Sequence, residues 1–288
     1  MELFATIVIL TCTYALLAAG IVILYKAARV VNFAHGELAV VGGYVFYSSG
    51  LMTGEMSPWF AFVGATVFSI ATGIFIYVAL MRRLVGEPFY VPILVTVGIG
   101  IVLKAAIIVI WQANRVTIDI GIAPAIRLAK GATISNMDIM SVMLTVAFFV
   151  GLYLFFRYSR LGLQFRGTAE NPLLASQRGV NINFVLSLAW VIATFAASLS
   201  GVLYGARAFL STESVTIGLS GLTAAMVGGL DSLRGAIVGA FIIASAQYFT
   251  VRLIDPILSE ALPLIILLVV LNVRPWGLFG TFEELGRV

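Results

Sequence analysis

The only histidine of this chain lies beside a carboxylate in an otherwise apolar stretch, Asn32-Phe33-Ala34-His35-Gly36-Glu37. Imidazole and carboxylate groups can transfer protons, bind metals and catalyse acid–base reactions. Metal binding needs several ligands, and the sequence offers one histidine and one cysteine, Cys12. Neither paired catalytic carboxylates nor a serine–histidine–aspartate arrangement gathers at one depth. We therefore predict no catalysis, no metal and no cofactor here, but a structural or gating role.

Composition indicates that these residues belong to a membrane protein. The 288 residues are 61% hydrophobic and 10% charged, whereas soluble domains carry about 25% charged residues. Apolar runs long enough to cross a bilayer lie near 3–25, 36–52, 59–80, 90–111, 139–156, 184–206, 235–252 and 258–273, with a weaker glycine-rich segment near 217–230. We predict an all-α polytopic membrane protein with eight or nine transmembrane helices and a single transmembrane domain over 1–288. Because Glu2 replaces the basic start of a signal peptide, we expect the first span to be retained.

The distribution of lysine and arginine predicts the orientation, since cytoplasmic loops are enriched in both. With the N-terminus outside and the C-terminus inside, the predicted inner loops hold Lys26, Arg29, Arg82, Arg83, Arg157, Arg160, Arg166, Arg178, Arg234, Arg274 and Arg287. The outer loops then hold Arg115, Arg127, Lys130, Arg207 and Arg252. The net charge of +4 follows from this topology, and nothing in it favours nucleic-acid binding.

A predicted cytoplasmic segment, 157–183, has the features of a short helix. Asn171 can cap it, Pro172 suits its first position and Gly179 suits the position after its end. Arg178 favours its C-terminal end, and Leu174 with Ala175 gives it a small apolar face. It is either an interfacial loop helix or a coupling helix that receives movement from a cytoplasmic motor. The motor would be another chain, because the sequence contains no G-x-x-x-x-G-K-[ST] loop.

Motifs along nearly the whole chain resemble the branched-chain amino-acid ABC importer permeases of the Liv type, H subunit. They are Asn32–Glu37 with Gly42-Gly43-Tyr44, Arg166…Glu170-Asn171…Ala175…Gly179, Gly228-Gly229 with Ser232-Leu233-Arg234-Gly235-Ala236 and Gly239, and Arg274-Pro275-Trp276-Gly277-Leu278-Phe279-Gly280. Asp231 and Trp276 depart from the family pattern. The solute therefore stays open among branched-chain amino acids and related small polar solutes such as urea and amides.

The resemblance implies an alternating-access importer in a bacterial or archaeal cytoplasmic (inner) membrane. Its other parts would be a homologous second permease, two cytoplasmic ATPase subunits and an external solute-binding protein. It implies a substrate path or gate at Asn32, Phe33, His35, Glu37, Gly42, Gly43, Gly228 and Gly229. It implies ATPase coupling through Arg166, Glu170, Asn171, Pro172, Ala175, Arg178 and Gly179. The recurrence of Val41-Gly42-Gly43 as Val227-Gly228-Gly229 hints at two internally similar halves.

Several residues keep two interpretations at this point. His35 is either a neutral group in a turn near the cytoplasmic end of the second span or a gating group. Glu37 either pairs with Lys26 or Arg29 or acts in gating, and Asn32 either caps a helix starting at Phe33 or lines the path. Snorkelling accounts for Lys104, and helix packing accounts for Gly98, Gly100, Gly201 and Gly205. The alternative function is a proton-coupled secondary transporter that uses Glu37 and His35.

Overall fold

The structure is a computed structural model that describes residues 2–53, 57–112, 114–118, 126–127, 133–134 and 136–281. Lys130 and Arg287, two basic residues of the orientation argument, lie outside the described residues. The helices are α1 Glu2–Ala28, α2 His35–Gly50, α3 Pro58–Phe75, α4 Tyr90–Trp111, α5 Asn136–Tyr158, α6 Arg160–Glu170, α7 Pro172–Gln177, α8 Ile182–Gly205, α9 Ile217–Gly228, α10 Leu233–Leu253 and α11 Leu258–Val273. Helix α3 continues through a π-helical turn, Ile76–Leu80, and a 3₁₀ turn, Met81–Leu84. Short 3₁₀ helices follow α2 (Leu51–Thr53) and precede α9 (Thr212–Thr216).

Six of these helical stretches are long and apolar enough to cross a membrane. They are Phe4–Ala28, Pro58–Leu84, Tyr90–Trp111, Asp138–Tyr158, Ile182–Gly205 and Leu233–Leu253, and Leu258–Val273 is a shorter apolar helix. The predicted polytopic helical membrane protein is confirmed, while the count of eight or nine spanning helices is not established by these six. The one pair of strands among the described residues is β1 Ile126–Arg127 with β2 Thr133–Ile134, an antiparallel pair.

We name the two ends of the bundle after α1: the Glu2 face, where α1 begins, and the Ala28 face, where it ends. On the Glu2 face, Arg207 after α8 contacts Asp138 of α5 at 2.5 Å and donates to Thr6 of α1 at 3.1 Å. On the Ala28 face, the hydroxyl of Tyr77 donates to Asn183 Oδ1 at 2.7 Å, joining α3 to the start of α8. Helices α1 and α8 therefore run antiparallel.

The core of the bundle is formed by α1 and α8. The Ser200 hydroxyl of α8 donates to the Thr13 carbonyl of α1 at 2.9 Å, at a fully buried position. Helices α2 and α3 pack on α8, whereas α9 and α10 pack on α1. A methyl group added at Gly201 would lie 1.8 Å from the Ala39 carbonyl oxygen of α2. The packing role predicted for Gly201 is thus confirmed.

The other glycines of that prediction divide into two groups. Gly205 packs against Leu210 and Ile118, and Gly100 packs against the Glu37 side chain, so both fill packing positions. Gly98 has no atom within 4 Å of an added methyl group, and its predicted packing role is wrong for this chain on its own.

The short helix predicted after the fifth span is confirmed as α7. Asn171 Oδ1 accepts a hydrogen bond from the Leu174 N–H at 3.0 Å, Pro172 is the first helical residue, and Gly179 has φ +80°. Helix α6, which precedes it, was not predicted. Phe165 of α6 is buried, and its ring packs against the ring of Phe156 on α5 with 5.0 Å between the ring centres. This contact holds α6 against the bundle.

Candidate functional site

Helix α2 begins at mid-depth rather than at the membrane boundary. A methyl group added at Gly20 would lie 2.6 Å from His35 Nε2 and 3.1 Å from the Ala193 carbonyl oxygen. Ala193 lies at the middle of α8, and Gly20 lies eight residues, about 12 Å, before the end of α1. The expected location of His35 near the cytoplasmic end of a span is therefore wrong. Residues 29–34 turn back along about 12 Å of α1, a distance that six extended residues easily cover.

Helix α9 begins at the same level and runs the opposite way. A methyl group at Gly218 would lie 2.4 Å from the Gly36 Cα, and one at Gly36 would lie 2.4 Å from the Val215 carbonyl oxygen. Helix α2 continues to the Glu2 face, where Ser48 accepts from the Trp111 indole at 2.8 Å. Helix α9 ends at the Ala28 face, where Met226 shares a cavity with Tyr25 and Arg29. The two helix starts can meet this closely only because both second residues are glycine.

A cavity of about 510 Å³ opens beside these two helix starts. Its lining comes from α2 and the residues before it, α4, the 3₁₀ turn, α9 and α11: Asn32, Phe33, His35, Gly36, Glu37, Lys104, Thr212, Glu213, Val215, Thr216, Gly218, Leu219, Leu222 and Glu260. Four residues of the predicted path, Asn32, Phe33, His35 and Glu37, are brought together here. The cavity combines one cation and three carboxylates with an apolar wall.

Asn32 shapes the turn that leads into α2. Its Oδ1 accepts from the Ala34 N–H at 3.0 Å, and the Phe33 N–H donates to Thr96 Oγ1 of α4 at 3.1 Å. The helix starts at His35, so Asn32 does not cap a helix beginning at Phe33. Its Nδ2 is buried and has no hydrogen-bond partner among the described residues. A buried amide nitrogen of this kind is available to an acceptor inside the cavity.

Glu37 lies against α4. A methyl group at Gly100 would be 3.2 Å from its carboxyl carbon, and Lys104, one helical turn further along α4, is the cation that acts on it. The expected partners Lys26 and Arg29 are wrong, because they lie at the Ala28 face while α2 starts at mid-depth. Glu37 Oε2 is buried without a hydrogen-bond partner among the described residues.

His35 is enclosed by the two central helices. Its side chain is 1% exposed and lies between Gly20 of α1 and Ala193 of α8. The Leu17 carbonyl is close to the ring, yet within the described chain neither ring nitrogen makes a well-aligned hydrogen bond. The surroundings of His35 therefore favour the structural over the gating interpretation. Within the described residues, no three or more His, Cys, Asp or Glu side chains form a group that could hold a metal ion.

The four predicted path glycines lie outside this cavity. Added methyl groups would meet Ser198 at Gly42, the Leu210 side chain at Gly43, the Gly235 carbonyl at Gly228, and the Gly280 backbone at Gly229. Close helix packing accounts for Gly42, Gly43 and Gly228, and the φ of +109° accounts for Gly229. Their place in the solute path stays a prediction that the cavity geometry does not favour.

The predicted coupling residues gather on the Ala28 face. Arg166 and Glu170 lie on α6, and Asn171, Pro172, Ala175, Arg178 and Gly179 lie on or beside α7. All are exposed except Ala175, which is 7% exposed and packs inside its own chain. The exposed apolar residues are Leu173 and Leu174, at 68% and 57%. These two leucines, rather than Ala175, form the exposed apolar surface of α7.

Some cavity residues had no signal in the sequence. Lys104 looks like a snorkelling lysine, since it lies seven residues before the end of α4, and only the position of α2 reveals that it faces Glu37. Glu213 lies in the 3₁₀ turn before α9 and Glu260 in the first helical turn of α11, and the spatial neighbours of both cannot be read from sequence. The weak glycine-rich segment near 217–230 was the one available indication that α9 is short.

Comparison with known proteins identifies related chains. The family described as "Branched-chain amino acid transport system / permease component" matches residues 3–271. The permease BraD of Pseudomonas aeruginosa is 28% identical over 284 residues, 94% of this chain and 92% of that protein. LivH of Escherichia coli K12 is 28% identical over 96% of this chain and 94% of its own length. A probable LivH of Methanocaldococcus jannaschii is 25% identical over 95% of this chain and 90% of its own length.

Among solved structures, PsaBC from Streptococcus pneumoniae in complex with a Fab has a similar fold. The TM-score is 0.52 with 16% sequence identity, over 96% of this chain and 93% of that chain. At this identity the likeness concerns the fold alone.

Proposed function

This chain belongs to the family of branched-chain amino-acid transport permeases, and on that premise we propose that the mid-depth cavity is its half of an alternating-access solute path. The chain is a membrane permease subunit of an ATP-binding-cassette importer, a class in which a separate subunit hydrolyses ATP and a binding protein delivers the solute. The solute we propose is a branched-chain amino acid, or failing that a related small polar solute.

The observation that carries this proposal is the mid-depth start of α2 and α9 around one cavity. In many transporters, substrate sites lie near the bilayer midplane where discontinuous helices begin. Irregular backbone at that depth is tolerated where it is enclosed by protein or lines a water-filled cavity. Residues 29–34 and the turn before α9 fit that condition. The apolar wall of Phe33, Leu219 and Leu222 suits a branched aliphatic side chain.

Two inverted halves explain the arrangement. In the first, α1 to α4, and in the second, α8 to α11, a long helix is followed by a short one that starts at mid-depth. The short helix of each half packs on the long helix of the other. Gly36 and Gly218, each the second residue of its helix, would lie at the pseudo-two-fold axis. The offset between Gly42 and Gly228 of the Val-Gly-Gly motifs is four positions larger than the offset between Gly36 and Gly218. The Val-Gly-Gly recurrence therefore does not define the repeat.

Among the described helices, counting each short helix with its preceding segment as one passage gives nine passages of the membrane. The N- and C-terminal ends then lie on opposite sides, and we propose that the Ala28 face is cytoplasmic. Most described lysine and arginine side chains outside the spans belong to that face, in agreement with the excess of basic residues in cytoplasmic loops. On this orientation, α6 and α7 meet the ATPases, and the Glu2 face meets the binding protein.

A second, homologous permease would cover the open side of the cavity. Lys104, Phe33 and Leu219 are exposed there in the isolated chain. Lys104 lies about 10 Å inside the end of α4, where contact with lipid would be costly for a charge. A neighbouring protein surface removes that cost and completes the path.

The test is uptake by the reconstituted complex. The permease would be copurified with its partners, inserted into proteoliposomes and supplied with binding protein and radiolabelled leucine. We expect uptake that requires ATP and stops when the ATPase subunits are omitted. Uptake driven by a proton gradient without ATPase subunits would instead establish the proton-coupled alternative.

Coupling is tested at the exposed leucines of α7. Leu173→Asp should release the ATPase subunits, because a carboxylate replaces an apolar contact, while membrane insertion stays normal. Gly167→Ala on neighbouring α6 is the control, since an added methyl group there meets no atom within 4 Å. Wild-type ATPase binding by both Leu173→Asp and Leu174→Asp would exclude α7 as the docking surface.

A further inference from the structure

Lys104 and Glu37 are opposite charges that line the cavity without forming an ion pair. The other two carboxylates of the lining, Glu213 and Glu260, are both exposed. Among the described residues no ion pair joins them within 4.0 Å, although Lys104 acts electrostatically on Glu37. Glu37 rests on Gly100, and Lys104 lies one turn further along the same helix, about 6 Å along its axis. Both side chains line the cavity.

Two separated opposite charges at this depth favour a ligand that carries both a positive and a negative group. A charge in the membrane interior is costly unless a partner compensates it. A neutral solute would leave both side chains uncompensated, and a singly charged solute would leave one. A zwitterion can offer its carboxylate to Lys104 and its ammonium group to Glu37, and thereby neutralise both.

We infer that Lys104 and Glu37 are specificity-determining residues, which hold the carboxylate and the ammonium group of a zwitterionic solute as it passes mid-depth. This inference rests on the proposed solute path. Asn32 Nδ2 and Glu37 Oε2 are buried without a hydrogen-bond partner among the described residues. The amide therefore adds a donor beside the pair, and the carboxylate keeps a free acceptor. Both are atoms that a bound zwitterion can satisfy.

Gly100 sets the position of the Glu37 carboxylate. An added methyl group would lie 3.2 Å from both the carboxyl carbon and Oε1, closer than the usual contact, so Glu37 would have to move. Gly98, two residues earlier on α4, meets nothing within 4 Å. Gly100→Ala and Gly98→Ala therefore each add one methyl group to α4, and only Gly100→Ala displaces Glu37.

The experiment measures leucine uptake by the full transporter in proteoliposomes, together with complex assembly and basal ATPase activity. Lys104→Met should lower the maximal uptake rate about tenfold or more, the usual effect of losing a hydrogen bond to a charged group. Copurification of the partner subunits reports assembly for each variant, and uptake is compared per assembled complex. Lys104→Arg should retain most of the uptake, since it keeps the charge and the donors.

Each remaining outcome decides against the inference. Uptake by Lys104→Met within twofold of wild type would overturn it, and so would equal losses in Lys104→Met and Lys104→Arg, because charge would then be irrelevant. Equal uptake by Gly100→Ala and Gly98→Ala would exclude the role of Glu37 placement. If the wild-type complex takes up no leucine, the proposed solute fails, which is a different result from a variant failing beside an active wild type.

Discussion

The starts of α2 and α9 have the same geometry and different chemistry. Both helices begin at mid-depth, and both carry glycine at the second position, where they meet. The start of α2 follows a segment in which Asn32 Nδ2 has no hydrogen-bond partner among the described residues, and it leads to Glu37. The start of α9 follows a 3₁₀ turn closed by a capping box of Ser211 and Ser214, and continues with apolar residues. The architecture is repeated and both halves contribute polar residues to the cavity. The buried lining atoms that have no hydrogen-bond partner among the described residues, which include Asn32 Nδ2 and Glu37 Oε2, all come from the first half.

Equal geometry predicts equal sensitivity at the two glycines. Gly36→Ala and Gly218→Ala each place a methyl group 2.4 Å from backbone atoms of the other segment, so the helices must separate. We expect a loss at or above the roughly 1–3 kcal/mol typical of overpacked cores, seen as a lower unfolding temperature in detergent and near-complete loss of uptake. Gly98→Ala is the control. A stable Gly218→Ala beside an unstable Gly36→Ala would break the equivalence of the two halves.

Different chemistry predicts unequal effects at the turns. Asn32→Ala leaves the buried Ala34 N–H without its acceptor, which costs about 1–3 kcal/mol. Ser211→Ala removes a capping contact on the α9 side, which costs about 1 kcal/mol. Thermal unfolding compares the two variants directly. We also expect uptake to fall in folded Asn32→Ala and to stay near wild type in Ser211→Ala, and the reverse order would contradict the asymmetry.

A double-mutant cycle tests whether His35 is structural. Gly20→Ala places a methyl group 2.6 Å from His35 Nε2, and we expect about 1–2 kcal/mol of destabilisation. In a His35→Ala background the same change should cost much less, because the ring is gone. The coupling free energy between the two positions is read from the four unfolding temperatures. If the destabilisations caused by the two single substitutions simply add in the double variant, the His35 ring does not pack against Gly20.

A third helix start, at Asn171, lies at an exposed position, so its cap is a reference for the two buried helix starts. Asn171→Ala removes the acceptor for the Leu174 N–H, and we expect a loss of about 0.5–1 kcal/mol. Limited proteolysis at 171–179 should become faster, while unfolding of the bundle changes little. Unchanged proteolysis would mean that packing by Phe165 and Ala175 holds this segment without the cap.

The sequence is sufficient to predict some of these features and not others. Apolar run length located the long helices within a few residues, and the order Asn171-Pro172…Gly179 predicted α7, because both signals are local. The first residue of α2 was predicted within one position, but the depth at which it lies was not. Val30, Val31 and Phe33 are as apolar in a re-entrant segment as in a helix. The role of Lys104 was missed for the same reason, because it depends on how far α2 retreats into the bundle.

The exchange of short helices between the two halves has a consequence for biogenesis. His35 and Gly36 enter the membrane with the first helices, yet their contacts Ala193 and Gly218 are synthesised only with the second half of the chain. Until then α2 has an uncovered glycine-rich side and an unclosed turn, and the first half cannot reach its final packing. Insertion therefore precedes folding here, and a nascent chain that stops before α8 should be recognised as incomplete by membrane quality control.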